Sequence, residues 1–451
     1  MKSKRELLLN GNITSLLFKF SAPAMIGMVT GALYNVIDTV FVGRGVGSLA
    51  IAALSIVLPI QLIMIGIGTM IGVGSASVVS RALGRNRKDI AQNVFGNAVV
   101  LNLLISTLCM VFIYIFMDKC LVFFGASAKV LPYARDYTRL ILAGFIFLSF
   151  SINSNNYIRA EGNPRAAMYV MAVGAIINVI LDPIFIFVLG MGVKGAAIAT
   201  VIAQVISSMY VIFYILFGRS IFRLNASIFR VKFSAMKEIL SLGFPSFIKS
   251  AMASIITLLF NKLLLFYGSD MYIAIMGIGL RMISLIQMPL IGITQGFSTI
   301  VGFNYGAKLY PRVKKVLGMA VMWTIIIAGV GFLAMMIFPR FVISLFSSDA
   351  NLINEGIHIL RIVAVFLPFI GVQILGGALF QSIGKTAPAL ILTISRQVLF
   401  LIPLAFLLPL IFGLNGVWLS VPVSDFLSIV VTVIWIFKEI KIFNKEILNT
   451  A

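Results

Sequence analysis

Asn178 and Asp182 stand four residues apart in GAIINVILDPIFIF (174–187), a run otherwise apolar apart from the helix-bending Pro183. Between Arg165 and Lys194 the only charge is Asp182. Residues at i and i+4 share one helix face, so the amide and the carboxyl line up. Pro183 removes a backbone donor one residue later and frees a carbonyl of the preceding turn. Asp38, in YNVIDTVFVG (34–43), and Thr200 belong with them by depth. A rise of about 1.5 Å per residue puts Asp38, Asp182 and Thr200 roughly 9, 12 and 10 Å below the outer ends of their segments. An ionisable group so deep in a membrane is expensive unless it faces a cavity or a partner. Two carboxyls held close cannot both ionise cheaply without a cation, so the pair shares a proton or binds a small ion. Asp38, Asn178, Asp182 and Thr200 are therefore the candidate ion-coupling set, with H⁺ or Na⁺ as coupling ion, no other metal and no organic cofactor. The plainer alternative is that Asn178 and Thr200 join helices by hydrogen bonds and that Asp182 is a satisfied acid beside Pro183.

Tyr34 and Asn35, a turn or less before Asp38, either join this site or only pack. Asn153 and Asn156 are candidates for a wider network, although rise arithmetic puts them about 10 Å or more toward the other face. Arg396 and Asp425 compute to a common depth of about 14 Å from the inner face and read as a structural ion pair, because an unpaired Arg there would be costly. His358, the only histidine, lies near a segment end and reads as interfacial. With one histidine and no H-E-x-x-H pair, zinc peptidase chemistry lacks its ligands, and serine chemistry lacks a base. Cys109 and Cys120 are isolated thiols, and the Gly-rich GIGTMIGVGSA (66–76) reads as close helix packing rather than a nucleotide loop. The chain is not expected to be an enzyme.

The elements that must hold these residues follow from composition. The chain has 451 residues, 61% hydrophobic and 11% charged, with a mean hydropathy of +1.10. An ordinary soluble domain is about 45–50% apolar and about 25% charged. Apolar runs of the roughly 20 residues that cross a bilayer recur throughout, and their backbone must be satisfied internally, which favours helices over a barrel. Spans are expected near 14–40, 50–78, 93–117, 131–157, 165–189, 193–217, 236–266, 271–303, 313–338, 353–381, 387–412 and 414–440. The fold class is an all-α polytopic membrane protein with twelve transmembrane helices. The formal charge of +21 clusters in alternate loops: Arg81, Arg85, Arg87 and Lys88; Arg219, Arg223, Arg230 and Lys232; Lys308, Arg312, Lys314 and Lys315. This positive-inside pattern predicts a multi-pass cell-membrane protein with both termini cytoplasmic. The charge reports orientation, so no nucleic-acid partner is expected, and a polar MKSKRELLLN without a cleavage site reads as a cytoplasmic lead-in.

Shifting the chain by 222 residues lays Pro23 on Pro245, GSASVVSRALGRNRKDIAQNVFGNAV (from Gly74) on GFSTIVGFNYGAKLYPRVKKVLGMAV (from Gly296), and Arg139 on Arg361. With a one-residue slip, GVKGAA at 192 falls on GLNGVW at 413. Two six-helix bundles are expected, related by a pseudo-twofold along the membrane normal: an N-lobe at 1–217, a basic cytoplasmic linker at 218–235 and a C-lobe at 236–451. Parallel repeats of this kind occur in alternating-access carriers. The repeat is also a control, because a residue needed only for architecture tends to recur. Asp38 falls on Phe260, Asn178 on Phe400, and Asp182 on Leu404 or Pro403. The polar set belongs to the first half alone.

The order and spacing of the proline-bearing first helix, YNVIDTVFVG, LGRNRKDIAQN, RAEGNPR (159–165) and NVILDP (178–183) resemble the multidrug and toxic compound extrusion (MATE) family, in its bacterial DinF-like branch. The resemblance spans nearly the whole chain. It implies a monomeric, cation-coupled (H⁺ or Na⁺) antiporter that exports organic cations or amphiphilic drugs by alternating access. It also implies an ion-responsive network in the N-lobe at Asp38, Asn178, Asp182 and Thr200, extending to Asn153 and Asn156. The acids that another branch carries on helices 7 and 10 have no deep counterpart here. The alternative is a flippase of lipid-linked precursors, which Lys249, Lys262, Arg281 and Arg396 would favour.

Overall fold

In the computed structural model twelve helices are long and apolar enough to cross a membrane, and no strand occurs among the described residues, 2–46, 48–218, 220–223, 230–346 and 349–450. After a short helix at Lys2–Asn10 come α1 (Ile13–Val46), α2 (Ser48–Gly84), α3 (Lys88–Ile115) and α4 (Leu131–Ala160). Next are α5 (Pro164–Pro183, continued by a π-helical turn at Ile184–Val188), α6 (Gly192–Phe217), α7 (Phe233–Tyr267), α8 (Asp270–Gly306) and α9 (Tyr310–Ile337). The last are α10 (Ala350–Ala364 and Ile370–Ile383), α11 (Thr386–Ile394, a π segment Ser395–Leu401, and Ile402–Phe412) and α12 (Leu414–Thr450). Two differences from expectation have local causes. The tenth span is not one helix: a 3₁₀ turn at Leu367–Phe369 interrupts it where Pro368 cannot continue the hydrogen-bond ladder. α2 and α8 run past their expected ends into the basic loops, since a helix outlasts the apolar stretch that crosses the hydrocarbon.

The repeat governs element positions. Helix starts at Ser48, Lys88, Pro164 and Gly192 recur 222 residues on, at Asp270, Tyr310, Thr386 and Leu414. Exposed apolar side chains recur likewise: Leu104, Leu108, Val111 and Ile115 line one side of α3, and Ile326, Val330, Leu333 and Ile337 the matching side of α9. Such stripes are unsuited to water and mark the faces that meet lipid. The one-residue slip also has a physical trace. A Cβ on Gly195 would stand 2.7 Å from the Phe185 carbonyl oxygen, and one on Gly416 would stand 2.3 Å from that of Leu408. Both tight approaches demand glycine, which is why G-x-x-G survives in both halves.

The chain forms two compact units, one of Met1–Arg5 and Ala22–Ala251, the other of Glu6–Ser21 and Met252–Ala451. These differ from the expected lobes because α1 and α7 each contribute to both. In the first unit the start of α7 lies backbone-to-backbone on α2: a Cβ on Gly243 would fall 1.8 Å from the Met70 carbonyl oxygen, and Arg81 bridges to Glu238 at 2.9 Å. In the second, Gly296 of α8 sits against Ser21 of α1, and Asn304 donates to the Leu8 carbonyl at 3.3 Å.

The described linker residues fold back on the first unit rather than hanging free. Phe222 stacks on Phe95 with ring centroids 4.7 Å apart and meets Tyr157 edge-on. Glu161, buried at the end of α4, accepts from the Tyr214 hydroxyl, from Ser220 Oγ at 3.0 Å and from the Ile221 amide at 2.9 Å. Burial pushes the Glu161 carboxyl above the usual carboxylate range, against the pull of these donors and of nearby Lys4.

Candidate functional site

α5 starts sharply and ends loosely. Asn163 caps it through the Ala166 amide, and Pro164 fills the first turn, where its missing donor costs nothing. At the other end Pro183 breaks the ladder and the helix widens into the π turn Ile184–Val188. Asp182, fully buried, is the last acid before that break.

Asn178 Nδ2 donates to Asp182 Oδ1 at 3.2 Å and to Thr200 Oγ1 on α6 at 3.3 Å. Asp38, on α1, brings its carboxyl into hydrogen-bonding range of that of Asp182. All four residues are buried. Among the described residues neither carboxyl has a Lys or Arg partner. Asp38 Oδ1, Asn178 Oδ1 and Asp182 Oδ2 are each buried and receive no hydrogen bond from the protein. Two facing carboxyls without a counter-charge require a proton or a cation between them. Every candidate ligand is an oxygen, which suits a proton or a hard alkali cation such as Na⁺, and no group of three His, Cys, Asp or Glu that could hold a metal occurs among the described residues.

Besides Tyr34, two residues not singled out from the sequence, Tyr137 and Gln61, border the site. Tyr137 on α4 and Tyr34 on α1 lie within electrostatic reach of both carboxyls, and Gln61 on α2 donates to the Tyr137 hydroxyl at 3.4 Å. The repeat would have revealed them, since Tyr34, Gln61 and Tyr137 fall on Ile256, Ile283 and Ile359. In the second unit the counterpart of Asp38, Phe260, lies inside the apolar core with Leu264, Leu360 and Trp418.

The other candidates go elsewhere. Asn153 accepts from Ser75 Oγ at 3.3 Å and donates to the Ala98 carbonyl at 3.5 Å, which ties α4 to α2 and α3. Asn156 donates to the Ile152 carbonyl at 2.9 Å, within its own helix. Neither is bonded to the acidic pair. The Asn35 side chain lies outside the described residues. Arg396, on the π segment of α11, donates through Nε to Asp425 of α12, so the expected ion pair forms.

A family model described as MatE matches residues 23–184 and 245–407. Its two matches begin at Pro23 and Pro245, in the same register as the internal repeat. The multidrug export protein MepA of Staphylococcus aureus (strain MSSA476) is 27% identical over 408 residues, covering 90% of this chain and 89% of that protein. MepA of Staphylococcus saprophyticus is 27% identical over 410 residues with the same coverage. Among solved structures, an outward-facing multidrug resistance MATE family transporter of the MOP superfamily superposes with a TM-score of 0.91 at 28% identity, over 97% of this chain and 98% of that one. A MATE in the bent conformation gives a TM-score of 0.92 at 27% identity, with 98% of each chain covered.

Proposed function

Because the chain belongs to the MatE family, we propose that it is a multidrug efflux transporter that exports organic cations or amphiphilic drugs in exchange for inward H⁺ or Na⁺. It moves its substrates across the membrane and does not transform them. The observation that carries the reading is the facing pair Asp38 and Asp182, held by Asn178 and Thr200, without a counter-charge and with buried oxygens that no protein donor reaches.

With both carboxyls ionised the pair carries two uncompensated negative charges, and one proton or alkali ion bound between them removes their mutual repulsion. With the ion, the two carboxyls stay in contact; without it, their repulsion drives α1 away from α5. α5 yields beside Asp182 because the ladder is already broken at Pro183. α1 carries the change further, since its segment bearing Asp38 belongs to one compact unit and residues 13–21 to the other, with Pro23 at the join. A proline at that point makes bending cheap. Ion occupancy thereby shifts the balance between states that hold and release substrate. The lipid-linked-precursor alternative loses support because the guanidinium of Arg396 is already neutralised by Asp425.

The test is export of a fluorescent cationic dye from cells expressing the protein. Asp38→Asn and Asp182→Asn keep the size of each side chain and remove its charge. Each should abolish gradient-driven efflux while a folded protein still reaches the membrane. Full export by a well-expressed Asp38→Asn, Asp182→Asn double variant would return the pair to a packing role.

A further inference from the structure

Where the lead-in helix Lys2–Asn10 turns into α1, the second unit contains a cavity of about 370 Å³ lined by Asn10, Asn12, Thr14, Arg312, Lys315 and Met319, among others. We propose that this cavity binds a phosphate group, that of an anionic lipid headgroup. The volume is at the small end of the roughly 300–1,000 Å³ of ligand pockets, the scale of a headgroup rather than of a drug.

The lining carries two cations and no carboxylate. Arg312 is held in place by neutral acceptors only: its Nε donates to Asn304 Oδ1 at 3.0 Å and its Nη2 to the Gly11 carbonyl at 2.7 Å. No Asp or Glu pairs with it among the described residues, so its charge is fixed at the cavity and left uncompensated. Lys315 is exposed and has no hydrogen-bond or ion-pair partner among the described residues. Asn12 spends its side-chain oxygen capping α1 through the Thr14 and Ser15 amides, which leaves its donor nitrogen unassigned.

Position argues for a lipid. The cavity lies at the first residues of α1 and α9, the level at which spans leave the hydrocarbon and meet headgroups. Basic pockets between spans at that level take phosphate headgroups. An architectural need common to both halves does not account for these cations, because Arg312 and Lys315 fall on Ile90 and Asn93 in the first half. A phosphate here would also fasten the lead-in helix to α9, since Gly11 and Arg312 are already joined. This inference is independent of the coupling reading.

The experiment is native mass spectrometry of the detergent-purified full chain titrated with phosphatidylglycerol, with phosphatidylcholine and inorganic phosphate as separate arms. Removing one cation weakens such binding roughly five-fold. Lys315→Gln should therefore lose about five-fold in phosphatidylglycerol affinity, and Arg312→Gln with Lys315→Gln about 25-fold. Lys314→Gln, whose Nζ instead donates to Asn444, should match the parent. Phosphatidylcholine should not compete. If inorganic phosphate at millimolar concentration displaces the lipid with the same dependence on Lys315, the ligand is free phosphate and the lipid source is overturned. Equal phosphatidylglycerol binding by the parent and Lys315→Gln overturns the site itself. Lys315 has no partner to lose, so this outcome does not depend on Arg312 variants folding.

Discussion

Removing the carboxylate of Asp425 should destabilise the second unit far more than removing both members of its ion pair. Asp425 is buried at 2% side-chain exposure and Arg396 keeps 20%, with the guanidinium contributing its Nε to Asp425 Oδ1. Asp425→Asn strands a cation that cannot lose its proton, and breaking a buried pair in this way costs about 3–5 kcal/mol. The residual exposure of Arg396 puts the expected loss at the lower end, about 3 kcal/mol. Arg396→Met is milder, about 2 kcal/mol, because a stranded carboxyl group can take up a proton. With both replaced no charge is buried, and the loss should fall to about 1 kcal/mol or less. The cycle therefore predicts a coupling of about 4 kcal/mol, somewhat above the roughly 0.5–3 kcal/mol of most contacting pairs. Urea unfolding in detergent, followed by the fluorescence of the buried Trp418, measures each corner. Additive losses, within about 0.5 kcal/mol, would show that the two side chains do not act as a pair.

Three further predictions probe other links. Gln61→Leu removes the donor on the Tyr137 hydroxyl and should slow export about five-fold, the worth of one hydrogen bond, and alter its pH profile; an unchanged rate and profile would separate Gln61 from the site. Burial raises the Glu161 carboxyl, so the folded state holds its proton to higher pH than the unfolded chain. The stability of the parent relative to Glu161→Gln should thus be greatest near pH 4 and fall as pH rises through the folded-state value; a difference that grows with pH would contradict this. A cysteine in place of the exposed Lys308 should react with an impermeant maleimide only after the cell is permeabilised, and labelling of intact cells would reverse the proposed orientation.

Much of this architecture was legible because a bilayer leaves few choices. Apolar length gave twelve spans, and in the structure the helix starts at Asp270 and Tyr310 stand 222 residues after those at Ser48 and Lys88, the interval of the sequence repeat. The link from Asp182 through Asn178 to Thr200 was legible for a related reason: polar residues in an apolar run must satisfy one another. What stayed hidden depends on which face meets which neighbour. Asn153 and Asn156 are as polar as Asn178, yet they turn toward α2, α3 and their own backbone. Tyr137 is an aromatic residue in a largely apolar span, where a buried ring needs no special explanation, and only its packing brings it to the carboxyls. The sharing of α1 and α7 between units arises from backbone contacts such as Gly243 on Met70, which join residues far apart in sequence and leave no local pattern.

The most direct test of ion coupling at Asp38 and Asp182 is uptake of a cationic dye into proteoliposomes under separately imposed pH and Na⁺ gradients. The parent should accumulate dye under at least one gradient and lose that accumulation when the gradient is collapsed. The Asp38→Asn, Asp182→Asn variant, reconstituted at equal density, should take up no more than protein-free vesicles under either. Gradient-dependent accumulation by that variant at the parent's rate would contradict the assignment of the driving ion to this pair.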